Sequence, residues 1–320
     1  NSPGNDTRFY VEKCEAMRNF ANKIWNAAKF TIMNLDDYDE SFVPKKEQYT
    51  LADRWILERL ARTEEYVSQN LDKFELGEAA DSIYNFAWNC FCDWYIELTK
   101  PVLYGTDDEA RIDTLSVLVY VLDKILKLLH PFVPFITEEI YQELPVHGES
   151  IMIERYPTFN SALNFPGEAQ LVEELKDLVA KVRNIRTEYG VAPSKRIRLY
   201  VEPVDKRIEC CDLYLAKLCG LEEVVFGVAP VGEKTVNAVG TAAKCQVPLG
   251  DLVDKDKEIE RICKELENVT NEIARANGKL NNQGFVSKAP AQLIENERAK
   301  LAKFEALKEQ LEARLAELKD

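Results

Sequence analysis

Arg18–Phe30 reads RNFANKIWNAAKF, and its spacing decides what kind of fold this chain starts with. At about 100° per residue, Met17, Phe20, Ala21, Ile24, Trp25, Ala27, Ala28 and Ile32 gather on one side, which predicts a helix that buries that face and ends near Leu35. The opposite arc, about 140° wide, carries Arg18, Asn19, Asn22, Lys23, Asn26, Lys29 and one ring, Phe30. No Asp or Glu lies between Glu15 and Asp36, so sequence alone leaves the cations of this arc unpaired. Phe30 then has two readings. Either it packs beneath a neighbouring helix of a bundle, or it offers a stacking surface to single-stranded nucleic acid, among cations for phosphates and amides for base edges.

Outward from this helix, the chain to about Leu144 continues as helical patterns separated by short polar or proline-bearing stretches. TLADRWILERLARTEEYV opens a second helix with Leu51, Trp55, Ile56, Leu57 and Leu60 on its apolar face. LGEAADSIYNFAWNCFCDWYIELTK predicts a third, closed by Pro101, with Trp88, Phe91, Trp94 and Tyr95 in the bundle core. EARIDTLSVLVYVLDKILKLLH is a fourth, and a fifth starts after Pro134. There Glu138 and Glu139 read as favourable charge in the first turn rather than as an acid–base pair.

After a proline-bearing loop, EAQLVEELKDLVAKVRNIRTEYG predicts a helix stopped at Gly190, with Pro193 beyond it. RIRLYVE and EVVFG alternate as strands around a helix near Lys206 to Cys219, and AKCQVPLG is a further strand. In the last segment Ile259, Ile262, Leu266, Val269, Ile273, Ala276 and Leu280 recur at 3,4 spacing, break at NNQGF, and resume with Ile294, Leu301, Phe304, Leu311, Leu315 and Leu318. Two seams joined by a glycine-bearing break describe an antiparallel hairpin. Arg275, Lys279, Lys288, Arg298, Lys300 and Lys303 surround its bend against only Glu295 and Glu297. They form either a solvated face or a phosphate-touching tip. The fold class is therefore mainly α: a helix bundle over 1–150, a linker and small α+β module over 151–252, and a coiled-coil hairpin over 253–320.

Composition narrows the function. At 320 residues and 46% hydrophobic content the chain supports two or three ordinary globular cores. It has no run of eighteen apolar residues and opens on the polar NSPGND, so no membrane span and no signal peptide are expected and the reading is a cytoplasmic protein. Eight thinly spread cysteines argue for free thiols, and neither Cys90/Cys92 nor Cys210/Cys211 has zinc-finger spacing, so no metal is expected. A formal charge of −14 excludes coating of nucleic acid by bulk attraction; a polyanion has to meet a local basic patch. No Ser/His/Asp or Cys/His arrangement and no glycine-rich phosphate loop stands out, so no catalytic residue is assigned.

SPGND (Ser2–Asp6), RNFANKIWNAAKF, LADRWIL (Leu51–Leu57), FCDWYIELTKP (Phe91–Pro101), HPFVPFITEEIY (His130–Tyr141), VRNIRTEYGVAPSK (Val182–Lys195) and FVSKAPAQLIENERAKL (Phe285–Leu301) together resemble, in order, the C-terminal part of valyl-tRNA synthetases. The resemblance covers essentially the whole chain. It implies a helix-bundle anticodon-binding domain and a terminal coiled coil that leans on the outer corner of the tRNA.

The family's catalytic domain, which uses ATP to activate valine, and its editing domain have no counterpart among these motifs, and SPGND in the family follows the lysine loop closely. The resemblance thus implies a fragment inactive by itself, cofactor-free and monomeric, with tRNA(Val) as partner. Residue by residue, the family's anticodon-reading positions fall on Asn26, Lys29 and Phe30, on the face already marked by the helical wheel. Arg18, Asn22 and Lys23 join them as candidates, and Arg275, Lys279, Lys288, Arg298, Lys300 and Lys303 are candidates for the tRNA corner. Glu12 stands where some family members place a basic residue. The alternatives are the corresponding region of an isoleucyl- or leucyl-tRNA synthetase, or a helical adaptor without an RNA role. Heptads at the end, where an isoleucine enzyme of the common bacterial type carries a Cys-rich zinc module, favour valine.

Overall fold

The computed structural model describes residues 10–35, 38, 46–252, 255–280 and 291–319. Its helices are α1 (Val11–Ile32), α2 (Leu51–Asp72), α3 (Leu76–Asn85), a π-helix (Phe86–Tyr95), α4 (Ile96–Leu103), α5 (Asp108–Leu129), α6 (Pro134–Gln142) and α7 (Pro166–Glu188). There follow β1 (Ile197–Pro203), α8 (Asp212–Cys219), β2 (Leu221–Phe226), β3 (Thr235–Val239), β4 (Ala243–Pro248), the short α9 (Leu249–Leu252), α10 (Lys255–Leu280) and α11 (Ala291–Lys319). The chain divides into two compact units, one of residues 1–184, 198–228 and 237–246, the other of 185–197, 229–236 and 247–320.

In the first unit α5 is the centre: its Leu115, Leu118, Leu122, Ile125, Leu126 and Leu129 are all buried, as the apolar run from Leu115 to Leu129 demands. α2 starts with a reciprocal cap. The Asp53 N–H donates to Thr50 Oγ1 at 3.1 Å while the Thr50 N–H donates to Asp53 Oδ2 at 3.0 Å. Asp53 is itself fully buried and also accepts from the hydroxyls of Tyr95 (2.5 Å) and Thr114 (3.2 Å), tying α2 to the π-helix and to α5. Burial pushes its carboxyl above the usual range, and these hydrogen bonds only partly oppose that. The strands form one sheet in the order β2-β1-β4-β3, with β1 and β4 antiparallel and Tyr200 opposite Gln246.

Four expectations are corrected. Met17 and Trp25 are exposed and Ala21 and Ile32 are only half-buried, because α1 buries the narrower line Phe20, Ile24, Ala27, Ala28 and Thr31. Everything from Val11 to Asn19, Met17 included, is exposed among the described residues, and Trp25 lies about 60° beyond the edge of the buried arc. Pro101 does not close its helix: α4 runs through it to Leu103, since near a helix end a proline forfeits little beyond its own missing N–H bond. Trp88 and Trp94 are half-buried, unlike the enclosed Phe91 and Tyr95. Glu138 and Glu139 fall beyond the first turn of α6, where Glu138 instead accepts from Ser150 Oγ at 2.8 Å and fastens the following loop. Burial opposes its ionisation, but this bond and those from Gln142 and the Ile151 N–H hold its carboxyl below the usual range.

In the second unit the sequence seam becomes a packed stripe: Val269 and Leu311 are buried, with Leu266, Ile273, Phe304, Leu307 and Leu315 against them. α10 and α11 thus form the antiparallel hairpin, and Leu307 completes the 3,4 spacing between Phe304 and Leu311. Gly190, at φ +62°, ends α7 in the left-handed region as its sequence position predicts, and the Val191 N–H donates back to Arg186 at 2.8 Å.

Glu64 of α2 predicts a pH dependence. It is 1% exposed, its Oε2 has no hydrogen-bond partner among the described residues, and burial pushes its pKa to about 7 despite the nearby Lys124 ammonium. The unfolded chain releases this proton near pH 4.5, the ordinary glutamate value, so the protonated form's stability is intact below that pH and is lost as pH rises towards 7. Chemical denaturation is expected to show up to about 3 kcal/mol lost over that window, and Glu64→Gln is expected to flatten the profile.

Candidate nucleic-acid interface

α1 presents the candidate residues as its wheel predicts: Arg18, Asn22, Asn26 and Lys29 are exposed, while Lys23 and Phe30 are half-buried on the flank next to the buried line. The flank meets the π-helix and α4. Phe30 is covered by Lys100 of α4, whose Nζ stands 5.8 Å from the ring centre. Asn34 Nδ2 donates to the Phe30 carbonyl at 2.7 Å, which closes the helix below the ring.

Lys23 is not the unpaired cation that the sequence suggests. It forms an ion pair with Asp93, seventy residues away, and lies 3.7 Å from the centre of the Trp88 ring. Of the three cations of this face, Arg18 and Lys29 are exposed and only Lys23 is drawn into the bundle. Trp88 stacks in turn on Tyr84 at 5.7 Å and on Phe20 at 6.2 Å, so an aromatic ladder backs the flank.

Sequence reasoning missed Trp88 and Asp93 as members of this surface. On an α-helix two residues five apart point about 140° away from each other. The stretch FAWNCFCDWY instead winds as a π-helix, with hydrogen bonds to the fifth residue, and so brings Trp88 and Asp93 to the same lysine. The signal was in the core spacing: Phe86/Phe91 and Cys90/Tyr95, each five apart, are all buried.

Of the hairpin candidates, Arg275, Arg298, Lys300 and Lys303 are exposed, and Arg275 pairs with Glu272 one turn before it. Lys288 and the Lys279 side chain lie outside the described residues. Neither histidine sits in a catalytic arrangement: His130 Nδ1 meets Thr137 Oγ1 at 2.8 Å, but that hydroxyl is buried and bonds the Val133 carbonyl, and His147 Nδ1 meets the Gly148 carbonyl. Among the described residues no cluster of His, Cys, Asp or Glu is arranged to hold a metal ion, and no helix is long and apolar enough to cross a membrane.

Comparison with known proteins follows the same two parts. Residues 53–201 match the family described as the anticodon-binding domain of tRNA ligase, and residues 254–319 match the valyl tRNA synthetase tRNA binding arm. Bundle and arm thus define the tRNA-binding region of a tRNA ligase; the α1 candidates precede the first matched range. The chain is 44% identical to a valine-tRNA ligase of Enterococcus faecalis (97% of this chain, 36% of that one). It is 43% identical to that of Geobacillus stearothermophilus (99% and 37%) and 44% identical to that of Clostridium acetobutylicum (100% and 37%). The chain belongs to the valyl-tRNA synthetase family, and spans little more than a third of the length of these relatives.

Proposed function

We propose that this chain holds tRNA(Val) at two separated places. The helix bundle (1–150) receives the anticodon loop, the α+β module (151–252) connects, and the hairpin (253–320) braces the outer corner of the tRNA. Valine activation with ATP belongs to the portion of the relatives that has no counterpart here, so this stretch alone is catalytically inactive. Phe30 stacks on an anticodon base, Asn26 and Asn22 bond base edges, and Arg18, Lys23 and Lys29 contact phosphates. The work is cytoplasmic and done as a monomer. The observation that carries this reading is the α1 flank: amides, exposed cations and a ring share one helix face in a chain whose net charge is −14, so attraction to RNA is local.

The hairpin supplies the second contact. Two weak contacts on one rigid ligand reinforce each other when both are reachable at once. Joint reversal of Arg275, Lys279, Lys288, Arg298, Lys300 and Lys303 to Glu is expected to weaken tRNA binding about tenfold or more at low salt and to flatten its salt dependence, since each lost phosphate contact removes a slope of about 0.7 to 0.9. Filter binding across a salt series reads both, and an unchanged slope would reduce these residues to a solvated face.

A further inference from the structure

Lys23 and Lys100 occupy equivalent posts at two places along the flank of α1. Each ammonium lies over an aromatic ring, Trp88 at 3.7 Å and Phe30 at 5.8 Å, and each is held by a carboxylate, Asp93 for Lys23 and Glu97 for Lys100. The two carboxylates are four residues apart on one continuous helical stretch; Lys23 precedes Phe30 by seven residues on α1, and Asp93 precedes Lys100 by seven on that stretch. Asp93 and Glu97 have side chains 44% and 42% exposed, and both sit within reach of a ligand.

An ammonium that rests on a ring face and on a carboxylate oxygen fills two sites that a nucleobase fills together. The base ring stacks on the π surface, and an exocyclic amino group donates to the carboxylate. Uracil offers carbonyl oxygens where cytosine carries its amino group, and a carboxylate, which only accepts, repels it. We propose that Asp93 and Glu97 select the bases stacked on this face: Lys23 and Lys100 hold the places in the free protein, and a single-stranded loop exchanges each ammonium for a base bearing an exocyclic amino group. Each displaced lysine moves to a neighbouring phosphate. The inference rests on the RNA-binding reading above and names the chemistry it selects. It also accounts for acidic residues on a face that binds a polyanion: they oppose phosphate adsorption without base recognition and leave the −14 chain indifferent to generic RNA.

The test uses oligocytidylate and oligouridylate of about ten nucleotides, within the span one such groove covers, together with a valine-accepting tRNA. Fluorescence anisotropy on the whole chain is expected to give a Kd for the cytidine oligomer about fivefold or more below that for the uridine oligomer, as one discriminating base contact provides. In Asp93→Asn/Glu97→Gln, isosteric at exposed sites, the ratio is expected to fall close to one, the uridine oligomer binding more tightly once the lysines are released. A ratio of one in the parent chain, or a ratio unchanged in the variant, overturns the selection. If the tRNA still binds in that case, RNA binding stands without it; if neither oligomers nor tRNA bind at low salt, both readings fall.

Discussion

Phe30→Ala is expected to raise the Kd for a valine-accepting tRNA about tenfold or more, because stacking contributes about 1 to 3 kcal/mol per base. The position separates its two readings cleanly. Phe30 is half-buried at the edge of α1 with Lys100 over it, rather than enclosed like Ile24 or Phe91. If the ring is a stacking platform, truncation leaves the fold nearly as stable as before and removes affinity. If it is the outermost core residue of the bundle, stability falls towards the 3 to 5 kcal/mol of a core Phe→Ala change while the folded fraction binds tRNA unchanged. Thermal denaturation and tRNA titration of the same preparation distinguish the two, and in an enzyme that includes the catalytic portion the same change is expected in KM.

Asp53→Ala is expected to cost about 3 to 4 kcal/mol of stability in urea denaturation. It removes one half of the α2 cap, worth about 1 kcal/mol, and leaves two enclosed hydroxyls without their acceptor. Tyr95 is fully buried and Thr114 is 1% exposed, and an unpaired buried donor costs about 1 to 3 kcal/mol. Relief of the buried carboxylate offsets part of this, because its raised pKa shows that burial already penalises the charge. Asp53→Asn, which keeps an acceptor oxygen, is expected to lose distinctly less. Tyr95 is the last residue of the π-helix, so the alanine variant is also expected to loosen the approach of Trp88 and Asp93 to Lys23. Equal losses in the alanine and asparagine variants would show that the network does not depend on the acceptor.

Helical periodicity was enough to read the bundle and the hairpin, since Leu115–Leu129 and the 3,4 seam from Ile259 describe faces that only burial explains. β3 was not legible: TVNAV is short and at the edge of the sheet, and Ala238 is its only buried side chain, so its alternation has almost no apolar side to show. The candidate face was half legible. Its residues on α1 follow from one helical wheel, but the partners that occupy Lys23 and cover Phe30 come from residues seventy positions further on, through a π-helical turn that a 100° wheel misplaces. A run without carboxylates reports on neighbours in sequence and says nothing about neighbours in space.

Incubating the chain with total tRNA at low salt, and then identifying the retained species, measures the central claim directly. Strong enrichment of valine acceptors, reduced by Phe30→Ala, is the predicted result. Retention without enrichment, or no retention at all, would contradict a chain that holds tRNA(Val) at its anticodon and its outer corner.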